Sequence, residues 1–435
     1  MSRIAIVGAG PSGFYAAEAA LRSLPDVQVD IIDRLPTPYG LVRSGVAPDH
    51  AKTKQISLLF DRISNDARVR LRGNIELDRD TSVSELLTQY NAVVLAAGAS
   101  EPKRLGIPGE NLRNSHSSAS FVGWYNGHPS HTKTDVRLDV DTAVIIGNGN
   151  VALDVCRILA KPVDVLSKTD IGAEALEAVK TRRLRRIVLM GRRSASAVRF
   201  TGPELSELAR IPGWEPCISS DVDVDGAPVA LRKSLASYQR EAPSDPSAGR
   251  IDLVFDARPT SIAGEASVSA VAWDHQGKPV DNISAGLVVS CVGYRAKAIE
   301  GTALDPASGT IRNEKGRVVD ESGATARGLY VVGWAKRGAS GTIGTNRDCS
   351  AETVRLLVED WQALVTAGPR AEARMHSHET SLADWRAIDA FERQCGRKEG
   401  RPRIKLTSLE RMMAIAKANP PQHESSIPLE SLQSK

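Results

Sequence analysis

The sequence predicts an α/β protein in which two Rossmann-like, three-layer domains are interleaved along the chain. Three observations support this fold class. A short apolar run leads into a glycine-rich turn at residues 4–13, IAIVGAGPSG, and does so again at residues 143–152, AVIIGNGNVA. Further apolar runs that suit buried parallel strands follow each turn. A similar run at residues 328–334 then returns the chain to the first domain.

Each glycine-rich turn has the spacing of a dinucleotide-binding fingerprint, Gly-x-Gly-x-x-Gly or Gly-x-Gly-x-x-Ala. In that motif a buried strand turns into a helix whose amide N–H groups point at a pyrophosphate. One match alone is weak evidence, but a pair in the strand–turn–helix context indicates two dinucleotide-binding domains. The positions concerned are Gly8, Gly10 and Gly13 in the first turn and Gly147, Gly149 and Ala152 in the second.

The residue that ends the following strand differs between the two sites. After the first turn the run VDIID ends at Asp33, about 20 residues beyond Gly13, where a carboxylate can accept from both ribose hydroxyls of an adenosine. After the second, IVLM is followed by Gly191, Arg192 and Arg193, with no acid and two guanidinium groups able to bind a 2′-phosphate. The sequence therefore predicts FAD at the first site and NADPH at the second. An alternative interpretation makes the two arginines a solvated surface pair.

The order of strands and breaks predicts the domain limits. An apolar strand at residues 92–99 precedes a Pro/Gly-rich run at 101–109, which crosses to the second domain. A similar strand at residues 286–294 closes that domain. The predicted limits are residues 1–107 and 299–418 for the FAD-binding domain, 108–298 for the NADP-binding domain and 419–435 for a flexible tail.

Three further segments carry predictions. Residues 334–344, WAKRGASGTIG, hold glycines that permit close backbone approach to a ring, and we interpret them as the lid of the flavin site. A helix is expected to begin shortly after them, near Cys349. Residues 242–249 are rich in Pro, Ser and Asp and predict a solvent loop. The basic residues 180–186 indicate a solvated turn before the next strand, with a docking patch as the alternative.

Composition excludes several protein classes. The chain has 435 residues with an ordinary apolar fraction of 41%, and no apolar run approaches the roughly 18 residues of a membrane span. The first strand begins at Arg3, so we expect no signal peptide and a cytoplasmic protein. The five cysteines are scattered, without Cys-x-x-Cys or metal-ligand spacing, so we expect reduced thiols, no metal site and no disulfide as electron acceptor.

Several longer motifs together indicate a family. They are YGLVRSGVAPDH at 39–50, GNVALDV at 149–155, Gly191-Arg192-Arg193 followed by Phe200-Thr201 and Glu204-Leu205, GWAKRG at 333–338 and GTI at 341–343. In order and spacing these motifs closely resemble those of the adrenodoxin reductase family, over essentially residues 1–415. Members of that family are ferredoxin–NADP reductases with a glutathione-reductase-like architecture.

The resemblance implies roles for residues that spacing alone does not assign. The positions that match the adenosine and pyrophosphate end of FAD are Ser12, Asp33, Leu41 and Ile75, and those around the isoalloxazine ring are Trp334, Gly341, Thr342 and Ile343. The positions that match NADP(H) contacts are Asn148, Gly149, Asn150 and Val151 at the pyrophosphate, Arg192 and Arg193 at the 2′-phosphate, and Glu204 with Gly341 at the nicotinamide nucleotide.

His50 and Asp154 match a polar pair near the flavin of family members. The resemblance implies that this pair handles protons, which makes the two residues candidate catalytic groups. Each also has a simpler interpretation. His50 suits a loop histidine that caps a turn, and Asp154 suits an acid favoured by the dipole in the first turn of a helix.

The resemblance implies an FAD-dependent enzyme that takes a hydride from NADPH and passes electrons singly to a ferredoxin, which would feed a cytochrome P450 or another iron–sulfur-dependent enzyme. The expected cofactors are noncovalent FAD and NADP(H), and the expected partner is an acidic ferredoxin. A net charge of +4 permits that attraction, with candidate contacts at Arg210, Arg232, Lys233 and Lys336. No nucleic-acid or membrane partner is expected, and the chain is expected to be a monomer or weak homodimer.

Other functions use the same nucleotide sites. An NAD(P)H:quinone or small-molecule reductase or oxidase would differ in whether quinones or dyes compete with a ferredoxin as acceptor. A flavoprotein subunit of an amidotransferase-type reductase would carry iron–sulfur cysteines, which this sequence lacks. A non-enzymatic flavin-binding redox sensor would not be bleached rapidly by NADPH.

Overall fold

The computed structural model describes residues 2–320, 322–367 and 370–418, so the tail predicted for 419–435 lies outside the described residues. In chain order the strands are β1 (Arg3–Val7), β2 (Gln28–Ile32), β3 (Val69–Arg72), β4 (Ala92–Leu95), β5 (Glu101–Pro102), β6 (Ser115–Ser117), β7 (Thr142–Ile146), β8 (Arg186–Met190), β9 (Trp214–Cys217), β10 (Gly249–Val254), β11 (Ala257–Ala263), β12 (Ala270–His275), β13 (Lys278–Ser284), β14 (Leu287–Ser290), β15 (Tyr294–Arg295), β16 (Leu304–Asp305), β17 (Thr310–Ile311), β18 (Asn313–Glu314), β19 (Arg317–Val319) and β20 (Thr325–Val331). The helices are α1 (Pro11–Ser23), α2 (Leu41–Ser44), α3 (Ala51–Lys54), α4 (Ser57–Ser64), α5 (Val83–Gln89), α6 (Ser118–Tyr125), α7 (Asn150–Ala160), α8 (Val163–Leu166), α9 (Ala173–Lys180), α10 (Gly202–Leu208), α11 (Val229–Ser237), α12 (Trp334–Arg337), α13 (Ile343–Thr366), α14 (Leu382–Lys398) and α15 (Leu409–Ala418).

Within the part of the chain that the structure describes, seven strands form the first sheet, in the order β18-β19-β20-β4-β1-β2-β3. β1 pairs in parallel with β2 and β4, and β20 pairs in parallel with β4. A strand from late in the chain therefore completes a sheet that begins at its start. The strands β1 and β4 are buried almost throughout, as expected for parallel strands that are covered on both faces.

Helices pack on both faces of the first sheet. One face packs against α1, α4, α13 and α14 through buried residues such as Phe14, Phe60 and Leu357. The other face packs against α5 through Val83 and Leu86. The sheet is thus the middle of three layers. We call residues 3–95 and 313–418 the first unit and residues 115–290 the second unit.

The second unit has the same three-layer plan with a different outer layer. Its six-stranded sheet has the order β6-β14-β7-β8-β10-β9, and every pairing in it is parallel. Helices α6, α7, α9 and α10 pack on one face. On the other face the antiparallel sheet β11-β12-β13 packs through Ile262, Val271 and Ile283 against Val144 and Ile146 of β7.

The two passages of the chain between the units pair with each other. β5 leaves the first unit and β15 returns to it, and the two strands are antiparallel. The Lys103 N–H donates to Gly293 O at 2.9 Å, and Arg295 Nε lies 3.1 Å from Glu101 Oε2. The units are therefore joined by a short two-stranded ribbon instead of two separate loops.

The last part of the chain contacts both units. The Gly73 N–H, just after β3, donates to Thr380 O at 2.8 Å. Farther along, Arg401 donates from Nε to Thr169 O at 3.1 Å and from Nη2 to Ile171 O in the second unit. The segment that includes α14 thus lies across the edge of the first unit and reaches the second.

The structure confirms the predicted fold class of two interleaved three-layer units. The segment at 180–186 runs from the end of α9 to the start of β8, where a turn was predicted, and side chains at 242–249 are mostly exposed. Helix α13 begins earlier than expected, at Ile343 instead of near Cys349, because Thr345 Oγ1 accepts from the Thr342 N–H at the start of the helix. The exact domain limits stay a prediction. Among the described helices, none has the length and apolar character needed to cross a membrane.

Candidate active site: two dinucleotide turns and a polar cluster

The first glycine-rich turn joins β1 to α1 where backbone fills the space that side chains would need. Gly8 has a φ of +118°, and a Cβ built on it would lie 2.4 Å from Ala96 O. A Cβ on Gly13 would lie 2.0 Å from Gly8 O. Helix α1 begins directly afterwards at Pro11, with its unpaired amide groups at the turn. This is the arrangement that lets a pyrophosphate approach backbone amides.

A second loop closes over the first turn. Gly40 has a φ of +47°, and a Cβ built there would lie 3.0 Å from Gly10 Cα. Tyr39 has a φ of +81°, which is unusual for a bulky residue, and its N–H donates to Ala9 O at 2.7 Å. Strained backbone of this kind is found where a binding site needs it. The two chain segments meet through glycines, and a Cβ built on Gly10 would have its nearest heavy atom, Gly40 Cα, 4.0 Å away, so the protein leaves the space beside Gly10 open.

Asp33 follows β2 and lies against the first turn. Its Oδ2 accepts from the Ala9 N–H at 2.7 Å and its Oδ1 from the Leu35 N–H at 3.0 Å. Burial raises the pKa of Asp33, and these two backbone hydrogen bonds oppose the rise. The turn therefore orients the carboxylate and leaves it lone pairs for other donors, as the predicted contact with ribose hydroxyls requires.

The other residues that the resemblance assigns to the adenosine end of FAD lie around the same turn. Ser12 is buried in α1, and its carbonyl O accepts from Ser350 Oγ at 2.9 Å. Ile75 is buried, and its N–H donates to Asp33 O at 2.9 Å. Leu41 begins α2, and its side chain is 47% exposed, so it is free to contact a bound nucleotide.

The predicted lid lies where the first unit meets the chain that returns from the second. Trp334 starts α12, and its Nε1–H donates to Ser340 O at 3.1 Å. The Trp334 ring stacks on Tyr294, with centroids 6.1 Å apart and an interplanar angle of 27°. Gly341 has a φ of +76° and is followed by Thr342. The lid is therefore anchored by an aromatic pair and ends in the free amide groups that open α13 at Ile343.

The second glycine-rich turn repeats the geometry of the first. Gly147 has a φ of +142°, and a Cβ on it would lie 2.3 Å from Cys291 O. Gly149 precedes α7, which begins at Asn150, and Asn150 Oδ1 accepts from the Thr201 N–H at 2.9 Å. The start of α7 is thus fixed to the segment that leads into α10. Its open amide groups suit a second pyrophosphate.

Two further residues of the second turn take different places. The Asn148 side chain packs against Gly191, where a Cβ would lie 1.7 Å from Asn148 Nδ2. Asn148 Nδ2 is buried and has no hydrogen-bond partner among the described residues. A buried donor of this kind needs an acceptor, and phosphate oxygens would supply one. Val151 is half-buried and packs against the helices of the second unit.

Arg192 and Arg193 follow β8 with their side chains exposed. The Asp256 N–H donates to Arg193 O at 3.1 Å, which holds the backbone of this segment. Within residues 2–320, 322–367 and 370–418, no carboxylate pairs with either guanidinium group. Both charges are therefore available to a ligand. The 2′-phosphate clamp stays a prediction, since a solvated surface pair would be equally exposed.

Charged side chains from both units meet beside α7, and we call them the interunit cluster. Its members are Asp49 and His50 of the first unit and Asp154, Arg157, Lys161, Glu204 and Glu207 of the second. His50 Nε2 lies 3.3 Å from Glu207 Oε2 and 3.7 Å from Glu204 Oε2. The predicted catalytic pair is part of this cluster, and so is Glu204, which was predicted at the nicotinamide nucleotide.

Burial and neighbouring positive charges have opposite effects on the pKa values of the acids in the interunit cluster. Burial raises the pKa of both Asp154 and Glu204, and the positive charge of Arg157 opposes the rise in each case. Burial alone would also raise the pKa of Asp49, but Arg157 and Lys161 hold that pKa well below its usual range. Asp49 is therefore a fixed negative charge, whereas the other two acids gain protons more readily. Acids with raised pKa values are typical of groups that hold or transfer a proton in an active site.

The simpler interpretations of His50 and Asp154 are both wrong. His50 precedes α3, but its side chain makes no capping hydrogen bond there. The first turn of α7 contains no acidic residue, and Asp154 lies beyond it. Both side chains point instead into the interunit cluster, where Asp154 Oδ1 lies 2.7 Å from Arg157 Nη2.

The structure separates the four predicted docking cations. Arg210, Arg232 and Lys233 are exposed on the second unit, where Arg232 Nε donates to Ala227 O at 2.8 Å. Lys336 is not an available surface cation. Its side chain is only 9% exposed, and its Nζ lies 2.6 Å from Glu352 Oε2.

Sequence reasoning assigned no role to five residues that shape the site: Asp49, Arg157, Lys161, Glu207 and Tyr294. Arg157 reads as an ordinary helix cation, although it shares a helix face with the fully buried Leu153 and Ala160. The apolar residues at helical spacing on both sides of Arg157 are the sequence signal that could have found it. Tyr294 begins β15, in the ribbon between the units, and nothing in the sequence indicates that its ring reaches Trp334.

Comparison with known proteins gives consistent results. Residues 2–209 match the family described as pyridine nucleotide-disulphide oxidoreductase. A Mycobacterium tuberculosis protein named NADPH-ferredoxin reductase FprA is 38% identical over 456 residues, which cover 95% of this chain and 98% of that protein. The mitochondrial NADPH:adrenodoxin oxidoreductase of Arabidopsis thaliana is 37% identical over 459 residues, which cover 95% of each. The structure of Mycobacterium tuberculosis FprA in complex with NADPH superposes with a TM-score of 0.87 at 37% identity, covering 96% of this chain and 99% of that one.

Proposed function

This chain belongs to the family of the NADPH-ferredoxin reductases and NADPH:adrenodoxin oxidoreductases, which use FAD, and we propose that it passes electrons from NADPH to a ferredoxin. FAD is proposed at the first turn and NADP(H) at the second. The reaction fits both cofactors, because a bound flavin accepts two electrons from NADPH and releases them singly to an iron–sulfur protein.

The observation that carries the proposal is that the two turns have the same backbone geometry, whereas the residues that end the following strands have opposite charges. Both turns present free helix amides beside a glycine that cannot carry a side chain. The first turn adds the carboxylate of Asp33, which suits ribose hydroxyls, and the second is followed by Arg192 and Arg193, which suit a 2′-phosphate. This combination supports two different nucleotides in one chain.

The remaining side chains support roles in orientation and proton handling. Trp334 and Tyr294 stack at the junction between the units, where they would exclude water from a flavin ring. His50 Nε2 lies 3.3 Å from Glu207 Oε2, within hydrogen-bond distance, so a proton can pass between these two atoms. We propose His50 and Asp154 as the groups that hold this proton during turnover.

The acceptor and the cellular setting are also proposals. Arg210, Arg232 and Lys233 are exposed cations of the second unit that would attract an acidic ferredoxin. Such a ferredoxin would pass its electrons to a cytochrome P450 or another iron–sulfur-dependent enzyme. The five cysteines, all within the described residues, are free thiols, which supports a reducing compartment such as the cytoplasm. A monomer or weak homodimer is the proposed state.

Anaerobic titration tests the function directly. The purified protein is expected to be yellow, and one equivalent of NADPH should bleach its flavin absorbance. Adding an oxidised ferredoxin should then restore the absorbance, and ferredoxin should outcompete quinones and dyes as acceptor. Faster reoxidation by quinones would favour the small-molecule reductase, and a flavin that NADPH does not bleach would contradict both enzymes.

A further inference from the structure

Arg157 is a charged side chain that is fully buried. It lies on α7 between Cys156 and Ile158, and its side chain has no exposed surface. Burying an ion costs several kcal/mol unless partners compensate it, and a well-packed apolar residue often serves stability as well or better. Stability alone therefore does not account for an arginine at this place in the helix.

The guanidinium group of Arg157 bridges the two units. Its Nε lies 2.6 Å from Asp49 Oδ2 and its Nη2 lies 3.2 Å from Asp49 Oδ1, a bidentate contact across the junction. The same group contacts α10 through Glu204 Oε2 at 3.4 Å from Nη1 and Glu207 Oε2 at 3.3 Å from Nε. Asp49 is the neighbour of His50 in the chain, and the two glutamates are the acids that His50 faces. The Arg157 side chain thus contacts both the residue that precedes His50 in the chain and the two glutamates that the His50 ring faces.

We propose that Arg157 is a positioning residue, which fixes the Asp49–His50 segment of the first unit against α10 of the second and so sets where the His50 imidazole stands. The inference rests on the proposed function only where it links this position to NADPH turnover. A lysine could supply the charge but not the bidentate geometry, since an ammonium is a single point of charge.

Removing Arg157 would also change the charge balance of the cluster. The four carboxylates of the cluster would then face Lys161, which contacts Asp49 alone among them. Because burial raises the pKa of Asp154 and Glu204 and Arg157 opposes that rise, both pKa values should increase in its absence. The charged or titratable groups that face these two acids are Asp49, His50, Arg157, Glu207, Tyr125, Tyr294 and Cys291. The acid limb of the pH–rate profile should therefore move to higher pH.

Hydrogen exchange measures the positioning without reference to activity. The His50 N–H donates to Ala47 O at 3.0 Å and the Lys54 N–H donates to His50 O at 3.3 Å, so amides of residues 45–54 report on this segment. In FAD-loaded Arg157→Met, exchange of a peptide covering residues 45–54 should be at least about tenfold faster than in the wild type. Arg157→Lys should lie between the two.

Rapid-reaction kinetics then connect position to turnover. The rate of flavin reduction at saturating NADPH should fall roughly 10- to 100-fold in Arg157→Met, the loss expected when a reacting group is misplaced by about 1 Å. The acid limb of the pH profile should move up, and Arg157→Lys should restore the limb more fully than the rate. In Asp49→Asn/Arg157→Met the uncompensated buried carboxylate is gone, so thermal stability should recover while the rate stays low.

Arg401→Met is the matched control. Arg401 is also a buried arginine that fastens the two units, but it donates to the carbonyls of Thr169 and Ile171 and touches no member of the interunit cluster. It should lower thermal stability and leave exchange at 45–54, the reduction rate and the pH profile unchanged.

Two results would overturn the inference. Unchanged exchange at residues 45–54 in Arg157→Met would show that the segment does not depend on this side chain. Faster exchange with an unchanged rate and pH profile would make Arg157 purely structural. If Arg157→Met does not fold, Arg157→Lys and Asp49→Asn decide the same questions. A wild-type flavin that NADPH does not reduce would defeat the proposed function, while the exchange result would still decide whether Arg157 holds the segment.

Discussion

The two glycine-rich turns share a backbone and differ in the charge beside it. The Gly8 N–H donates to Ile32 O and the Gly147 N–H donates to Met190 O, each at 2.7 Å. Both glycines have positive φ, +118° and +142°, and both lie against a carbonyl of another loop. At the end of the next strand, however, the first turn has a buried carboxylate at Asp33, whereas the second has exposed guanidinium groups.

The comparison separates two tasks that a dinucleotide site performs. The turn supplies amide groups for a pyrophosphate, which every dinucleotide has, so its geometry is repeated. The strand end contacts the ribose, where nucleotides differ, so its chemistry is not repeated. Asp33 is also joined to its turn by the hydrogen bond from Ala9, whereas the segment after β8 contacts its turn through the Asn148 side chain and Gly191.

The largest expected effect distinguishes the third positions of the two turns. In Gly13→Ala, the new Cβ would lie 2.0 Å from Gly8 O, so the first turn must open and the protein should purify without flavin. Ala152→Gly, the reverse change in the second turn, should cost about 1 kcal/mol of helix stability and keep the flavin. Visible flavin absorbance per chain is the measurement. A yellow, fully loaded Gly13→Ala protein would contradict the assignment of FAD to the first turn.

The next effect tests the arginines after the second turn. In Arg192→Ala/Arg193→Ala, each lost charge-assisted contact is worth roughly 1.5–3 kcal/mol, or about 10- to 100-fold in affinity. The KM for NADPH should rise accordingly, while kcat and the kinetics with NADH change little, because the 2′-phosphate is far from the reacting atoms.

The control for this pair is Arg183→Ala/Arg185→Ala, which removes two exposed arginines just before β8 and should leave both nucleotides unaffected. Equal loss with NADPH and NADH in the Arg192/Arg193 variant would assign the pair to the fold or to the pyrophosphate. Retained selectivity for NADPH would place the clamp elsewhere.

A third experiment asks whether nucleotide binding at the first site depends on the protonation of Asp33. Asp33→Asn should weaken FAD binding about 10- to 100-fold through loss of a charged acceptor. Burial raises the pKa of Asp33, so the protonated form favours folding at low pH, and that contribution is lost as pH rises through the folded-state pKa. FAD binding has the opposite requirement, because the ribose hydroxyls would donate hydrogen bonds to the ionised carboxylate of Asp33.

Wild-type affinity for FAD should therefore fall by up to about tenfold per pH unit below that pKa. In Asp33→Asn the affinity should be low at every pH and nearly flat, as measured by fluorescence titration of the flavin-free protein. A wild-type affinity that does not change on acidification would remove Asp33 from the ribose.

The smallest effect concerns the packing of Asn148 against Gly191. A Cβ on Gly191 would lie 1.7 Å from Asn148 Nδ2, the end of a movable side chain, so Gly191→Ala should raise the KM for NADPH only several-fold. Asn148→Ala/Gly191→Ala removes the clash and should recover part of that loss, since the first turn works with Ala9 at the equivalent position. Additive losses in the double variant would mean that the two side chains do not compete for this space.

Local patterns were enough to predict much of this molecule. The turns at Gly8 and Gly147 and the place of Asp33 after β2 follow from short motifs, because a tight turn and a strand end depend on neighbouring residues; the lid at Trp334 stays a prediction. The interleaving of the two units was also predicted, because the strand-like run at residues 328–334 resembles those of the first unit and comes after the second unit. These features place the two candidate nucleotide sites.

Contacts between distant parts of the chain were beyond the sequence. Arg157 and Asp49 are far apart in the chain, and a buried arginine has the same helix spacing as a surface one. Lys336 was expected on the surface for the same reason, although Glu352 in α13 pairs with it. Helix α14 has buried positions at Trp385 and Ile388, but no motif in it indicates that it reaches across the first unit.

The order of strands in the first sheet has a consequence for how the chain is made. β4 gains its outer neighbour from β20, residues 325–331, only after the whole second unit has emerged from the ribosome. Until then the nascent first sheet ends at β4 with an open, fully apolar edge, the kind of edge that pairs with other chains. The second unit has its sheet partners within residues 115–290 and can mature earlier. The strands that are synthesised last therefore complete the sheet whose first strands are synthesised first. The N-terminal half of that sheet is the part most exposed to misassembly during synthesis.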